Sequence, residues 1–129
     1  MALQFEQETY KIIGACINVH KALGNGFLES VYQEALEKEF RKLQIPFVRH
    51  KKLPITFEGE LLNKFFVADF VCYDSIILEI KAATFLHRSN FDQTINYLSA
   101  TGLIVGLLVN FGESSLKWKR FIHTLHKSV

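Results

Sequence analysis

Phe65-Phe66-Val67-Ala68-Asp69-Phe70-Val71-Cys72 and, after Tyr73-Asp74-Ser75, Ile76-Ile77-Leu78-Glu79-Ile80-Lys81 form the stretch on which the fold turns. Two runs rich in Phe, Val and Ile, separated by three turn-forming residues, read as an antiparallel hairpin. Core strands should be apolar, yet Asp69 interrupts the first run and Glu79 and Lys81 interrupt the second. Side chains alternate along a strand, so Glu79 and Lys81 share one face while Leu78 and Ile80 take the other. Pairing through the turn brings Asp69 towards that same face. Unpaired carboxylates are costly to bury, so the cluster must line a cleft or hold a cation. Two carboxylates beside one ammonium stay net negative, and a hard divalent ion such as Mg²⁺ suits them. Lys81 would then orient, or help deprotonate, a metal-bound water for attack on phosphorus. Any one of the three alone reads more simply as half of a strand-end ion pair. Together, at this spacing, they point to chemistry.

Working outward, Ile12, Cys16, Val19, His20 and Leu23, with Ile13 and Ile17, recur at helical spacing and predict a helix over 5–23, ended by Gly24-Asn25-Gly26. A second helix is expected over 27–43, with Phe27, Val31, Ala35, Leu36, Phe40 and Leu43 on its apolar face, and Pro46 marks the exit. Phe47–Phe57, interrupted by Pro54, suits an edge strand or a bulge. Glu58-Gly59-Glu60 reads as a turn, and 61–73 and 76–81 are the hairpin strands. Ser89-x-x-Asp92 resembles a capping box opening a third helix to about Ala100, stopped by Gly102. Leu103–Asn110 fits a strand buried on both faces, and Leu116–His123 a strand nearer an edge. The expected fold is one α/β domain over 1–129 with a mixed sheet, in the order α-α-β-β-β-α-β-β.

The chain has 129 residues, 49% of them hydrophobic, which excludes a disordered protein and suits one compact domain. Cys16 and Cys72 lie in apolar surroundings without CxxC spacing, so buried thiols in a reducing compartment are expected. Met1-Ala-Leu-Gln-Phe-Glu has no secretory pattern, and Leu103–Val109 is too short to span a bilayer. A cytoplasmic protein without a membrane partner is expected. Lys+Arg 15 against Asp+Glu 13 gives +2, but unevenly spread. Bases crowd Arg41–Lys64, and Lys117, Lys119, Arg120 and Lys127 follow Glu113 with no further acid. Folded together, these segments would face an anion; apart, they are ordinary solvated surfaces.

The Asp-x9-Glu-x-Lys spacing of Asp69, Glu79 and Lys81 resembles the PD-(D/E)xK nuclease superfamily, with Ala68 in place of its usual proline. Gly26-Phe27-Leu28-Glu29-Ser30-Val31-Tyr32 matches the Gly-x-x-Glu-x-x-Tyr motif of the GxxExxY protein family, a branch of that superfamily. The similarity continues through Tyr32-Gln33-Glu34-Ala35-Leu36, Ala68-Asp69-Phe70, Leu78-Glu79-Ile80-Lys81-Ala82, Gln93-x-x-x-Tyr97-Leu98 and Gly106-Leu107-Leu108-Val109-Asn110-Phe111-Gly112. The resemblance implies a restriction-endonuclease-like core and a Mg²⁺-dependent nuclease, with Mn²⁺ as a substitute and DNA favoured over RNA. It implies Asp69 and Glu79 as metal ligands, Lys81 as the catalytic lysine and Glu29 as an additional carboxylate. Gln93 and Tyr97 match a Gln-x-x-x-Tyr motif that supports the site.

Read on their own, these extra residues are less specific. Glu29 is also favoured by the helix dipole of its first turn. Tyr32, one turn on, either hydrogen-bonds Glu29 or is core. Gln93 and Tyr97 share a helix face, with Tyr97 read as packing and Gln93 as an exposed amide or an orienter of a ligand. Arg49, Lys51, Lys52 and Arg88, with His50 and His87 on the same rim, are candidate phosphate contacts. His20 reads as a satisfied core or interface histidine, and His123 and His126 do not form a helical ligand pair. Trp118 is expected in the core or a dimer interface rather than stacked on a base. No separate recognition domain is expected, so a homodimer or a partner would have to supply sequence specificity. The competing function is a non-catalytic module of the same fold that binds nucleic acid or protein; a hydrolase of small phosphate compounds is a third reading.

Overall fold

The computed structural model describes residues 5–123. Helices α1 (Glu6–Leu23) and α2 (Glu29–Lys42) precede strands β1 (Phe47–Phe57), β2 (Glu60–Cys72) and β3 (Ile76–Lys81). Helix α3 (Arg88–Thr101) leads to β4 (Val105–Asn110), and β5 (Lys117–Ile122) follows. The element order is the expected one, and the fold is mixed α/β. The five strands lie in the order β1-β2-β3-β4-β5. All neighbours are antiparallel except β3 and β4, whose parallel pairing needs the crossover that α3 provides.

Tyr73 and Asp74 both have φ of 55°, as a type I′ hairpin turn requires, and Ser75 N–H donates to the Cys72 carbonyl at 3.1 Å. The β1–β2 register shifts between Pro54 and Thr56, so Pro54 sits at an irregularity on an edge strand, as expected. β4 is buried at every residue and β5 forms the other edge.

The core has two parts, one on each face of the sheet. Ile12, Cys16, Leu36 and Phe40 from α1 and α2 pack on Phe70, Leu78, Ile80, Leu107 and Val109. Leu98 of α3 packs with Val71, Ile77, Leu108 and Phe121 on the opposite face. Both thiols are buried, and burial pushes Cys72 up to about 12 and Cys16 higher still. Among the described residues no helix is long and apolar enough to cross a membrane.

Two expectations need correction. The buried face of α2 is Tyr32, Gln33, Leu36 and Phe40, leaving Phe27, Val31 and Leu43 exposed. Its stripe is rotated because Tyr32 and Gln33 find hydrogen-bond partners inside, which hydropathy does not register. Ser89 and Asp92 do not cap α3; the helix starts earlier, with Asn90 Oδ1 accepting the His87 N–H at 3.0 Å. Trp118, expected in the core or a dimer interface, lies outside the core, half-exposed on edge strand β5. Of the two readings of the basic segments, the one as separate solvated surfaces agrees with the sheet order, since β1 and β5 are opposite edges, about 19 Å apart at the usual strand spacing. The N-terminal reading of Met1–Gln4, and His126 and Lys127, lie outside the described residues.

Candidate functional site

The β2–β3 ladder runs through Cys72↔Ile76, Val71↔Ile77 and Phe70↔Leu78, and there it stops. The next position belongs to Asp69 and Glu79, whose carboxylates replace the ladder. Asp69 N–H donates to Glu79 Oε2 at 3.1 Å, and Ile80 N–H donates to Asp69 Oδ2 at 2.8 Å. Each carboxylate is thus held by the backbone of the other's strand. On the β1 side, His50 falls opposite Asp69, between the pairs Arg49↔Phe70 and Lys51↔Ala68. Its φ of 55° is left-handed, unusual for a non-glycine residue. The alternation of β2 slips here: Phe66 and Ala68 pack on the α3 side, but Phe70 and Cys72 pack on the α1–α2 side. Asp69 stands at the swap, which strict alternation does not anticipate.

Two further residues, Gln33 and His50, belong to the site and were not singled out there from sequence. Gln33 is buried, one turn beyond Glu29 on α2, and its side-chain amide helps lower the Asp69 carboxyl. Its Oε1 lies 2.9 Å from His50 Nε2 and accepts from Arg49 Nε at 3.3 Å. With Oε1 so engaged, the amide nitrogen is the group left to face Asp69. The only sequence signal was a polar residue within Tyr32-Gln33-Glu34-Ala35-Leu36, on a face that hydropathy assigns to solvent. Arg49 also pairs with Glu37 at 3.2 Å, so its guanidinium is shared between a carboxylate and an amide of α2.

Burial sets the electrostatics. It raises the Asp69 carboxyl above its ordinary range, opposed by the Ile80 N–H, Lys81, His50 and Gln33. Glu79, only 8% exposed, is pushed up to about 8 by burial, then by the Asp69 charge. The Asp69 N–H and Lys81 pull it down, and Glu29 adds to the rise. Two acids crowded in low dielectric, with too little positive charge to ionise both, are the donor set a hard cation satisfies. Among the described residues no three His, Cys, Asp or Glu side chains form a group able to hold a metal ion. Mg²⁺ binds through one or two carboxylates, keeping waters and taking substrate phosphate oxygens, so the pair fits it without a third.

The remaining predicted residues distribute around this point. Glu29 is exposed at the first turn of α2, near enough for its charge to act on Glu79. Tyr32 is fully buried; its hydroxyl donates to the Gly24 carbonyl at 2.5 Å and accepts the Phe27 N–H at 3.3 Å. It secures the loop that delivers Glu29 and bonds that loop, not Glu29. Tyr97 stacks on Phe66 at 3.5 Å between centroids, as the packing reading expected, and Gln93 acts to lower its hydroxyl. The charges of Glu79 and Asp69 both reach Tyr97. Lys81 ends β3, its carbonyl accepting the Phe111 N–H at 2.8 Å, and its charge lowers both acids. Lys51 and Lys52 lie on β1 beyond His50, and Arg88 is exposed at the start of α3. His20 is buried with Nε2 at 2.9 Å from the Glu113 carbonyl, as expected of a satisfied core histidine.

Comparison with curated proteins gives no match. Among solved structures, the crystal structure of SSO0001 is similar over 95% of this chain, with a TM-score of 0.54 and 18% sequence identity. At that identity the likeness concerns the fold, and this chain spans 61% of that protein's length. The profile of the PD-(D/E)XK nuclease superfamily matches residues 6–121, an interval that contains every site residue described above. Two acids and a lysine brought together where paired strands part, inside a match of that extent, place this chain in the PD-(D/E)XK nuclease superfamily.

Proposed function

We propose that this protein is a divalent-metal-dependent nuclease that hydrolyses phosphodiester bonds, with DNA favoured over RNA as substrate. The observation that carries this is the mutual capture of Asp69 and Glu79 by each other's backbone, with Lys81 on the same strand two residues on. In this reading Asp69 and Glu79 hold Mg²⁺, with Mn²⁺ as a substitute. The bound ion would supply Lewis-acid polarisation of the scissile phosphate and a nucleophilic water. The chain's own groups do the rest. Lys81 directs its ammonium at the phosphate and the attacking water, countering charge that develops in the transition state. Glu29 serves as the additional carboxylate, from the exposed turn of α2. Gln33 keeps Asp69 oriented, and Gln93 and Tyr97 close the α3 side. The Gly26–Tyr32 motif supports placement in the GxxExxY branch.

The test joins metal binding to cleavage. Calorimetry should detect Mn²⁺ or Mg²⁺ binding to the wild type that is lost in Glu79→Ala. Single-stranded, duplex and branched substrates should be cut in Mg²⁺, and cutting should stop in chelator. Lys81→Ala should keep metal binding yet lose at least a hundredfold in kcat. Metal binding without cleavage of any substrate would instead favour the non-catalytic module.

A further inference from the structure

The β1–β2 hairpin is much longer than the sheet it belongs to. β2 is paired with β3 only at Phe70, Val71 and Cys72, whereas its pairing with β1 continues out to Glu60. Residues 60–68 therefore form, with β1, a two-stranded ribbon projecting about 30 Å beyond the carboxylate pair at ordinary strand rise. One face of the ribbon is used: Leu53 and Phe66 are buried, with Phe66 stacked on Tyr97. The other is not. Phe65 is 49% exposed and Val67 42% exposed, in register with Pro54 and Lys52. The Lys52 ammonium lies 4.9 Å from the Phe65 ring centroid.

We propose that this face of the ribbon is a docking surface for single-stranded nucleic acid, with Phe65 stacking a base and Lys52 meeting the adjoining phosphate. The proposal deepens the nuclease reading above by naming the form of nucleic acid that reaches the site. Three features carry it. Aromatic rings interleaved with cations are what an unpaired strand needs, because its bases offer free faces and its backbone offers charge. The charge on this face is complementary: Lys52, in register with Val67, is its cation, while Lys51 and Lys64 alternate onto the other face and the acids Glu58 and Glu60 sit at the far end of the hairpin. The spacing also fits, since Phe65 precedes Asp69 by four residues, about 13 Å, which is about four stacked nucleotides. A duplex hides its base faces and has no use for Phe65.

The test is binding, so it stands apart from catalysis. Full-length protein carrying Asp69→Asn, which prevents cleavage, is titrated against fluorescently labelled oligo-dT and against a duplex of equal length. The expected result is preference for the single strand, weakened roughly tenfold by Phe65→Ala, restored by Phe65→Trp, and with duplex binding unmoved. Circular dichroism checks that each variant is folded. Unchanged single-strand affinity in folded Phe65→Ala, or a wild-type preference for duplex, overturns the proposal. So does a dimer in sedimentation that Phe65→Ala dissociates. Strand binding through Phe65 without cleavage under any metal would sink the nuclease reading and leave this one standing.

Discussion

Glu79 shows what a single residue costs and what it gains. Its folded value of about 8 lies above the ordinary value of 4.5, so between these limits the folded protein holds a proton that the unfolded chain has released. The stability contributed by that proton is complete below about pH 4.5 and is lost as pH rises towards 8. Metal-free protein should therefore lose on the order of a few kcal/mol across this window through this side chain. Denaturant titrations in chelator at pH 5 and pH 8 should show the decline, and Glu79→Gln should flatten it. Added Mn²⁺ should restore the wild type at pH 8 and leave Glu79→Gln unmoved. Equal stability at the two pH values would mean that Glu79 is better solvated than its burial suggests.

At the scale of elements, the loop after β4 explains a motif to which the sequence assigned no chemistry. Asn110 is fully buried and saturates its amide. Its Oδ1 accepts the N–H groups of Ala83 at 2.9 Å and Gly112 at 3.1 Å. Its Nδ2 donates to the Ala83 carbonyl at 3.0 Å and to Glu113 Oε2 at 2.8 Å. This clamps the end of β3 just past Lys81. Phe111 then stacks on Tyr32 at 4.6 Å between centroids, tying the clamp to the loop that delivers Glu29. Asn110→Asp keeps both acceptor contacts but removes two donors, so folded variant should lose about 1–3 kcal/mol of stability. Its kcat should fall further than its metal affinity, measured by calorimetry beside the cleavage assay. Gly112 leaves no room for a Cβ against the Ala83 backbone, so Gly112→Ala should lower the melting temperature by several degrees.

Across the whole molecule, the sheet order keeps the two basic segments on opposite edges. Lysines on β1 and on β5 therefore should not act on a bound strand alike. Lys51→Ala with Lys52→Ala should weaken oligonucleotide binding and reduce the salt slope by about 0.7 per lost phosphate contact. Lys117→Ala with Lys119→Ala should change neither, as fluorescence anisotropy over a salt series would show. Equal effects from both edges would mean that the nucleic acid wraps the sheet rather than following the hairpin.

Element order, the two-sided burial of β4 and the Tyr73–Ser75 turn were legible in the chain, because they rest on local periodicity and turn chemistry. The acid–acid–lysine set was legible for a related reason: ionisable residues in apolar strands stand out against their neighbours. The buried stripe of α2 was not, because Tyr32 and Gln33 are polar by composition and are buried against Phe111 and His50, partners distant in sequence. Nor was the slip of alternation at Asp69, which depends on one left-handed residue, His50, across the ladder. Local pattern fixes which residues can form a strand and which charges cannot rest inside it. Only tertiary packing decides which partners satisfy them, since burial and hydrogen bonding are properties of the assembled neighbourhood.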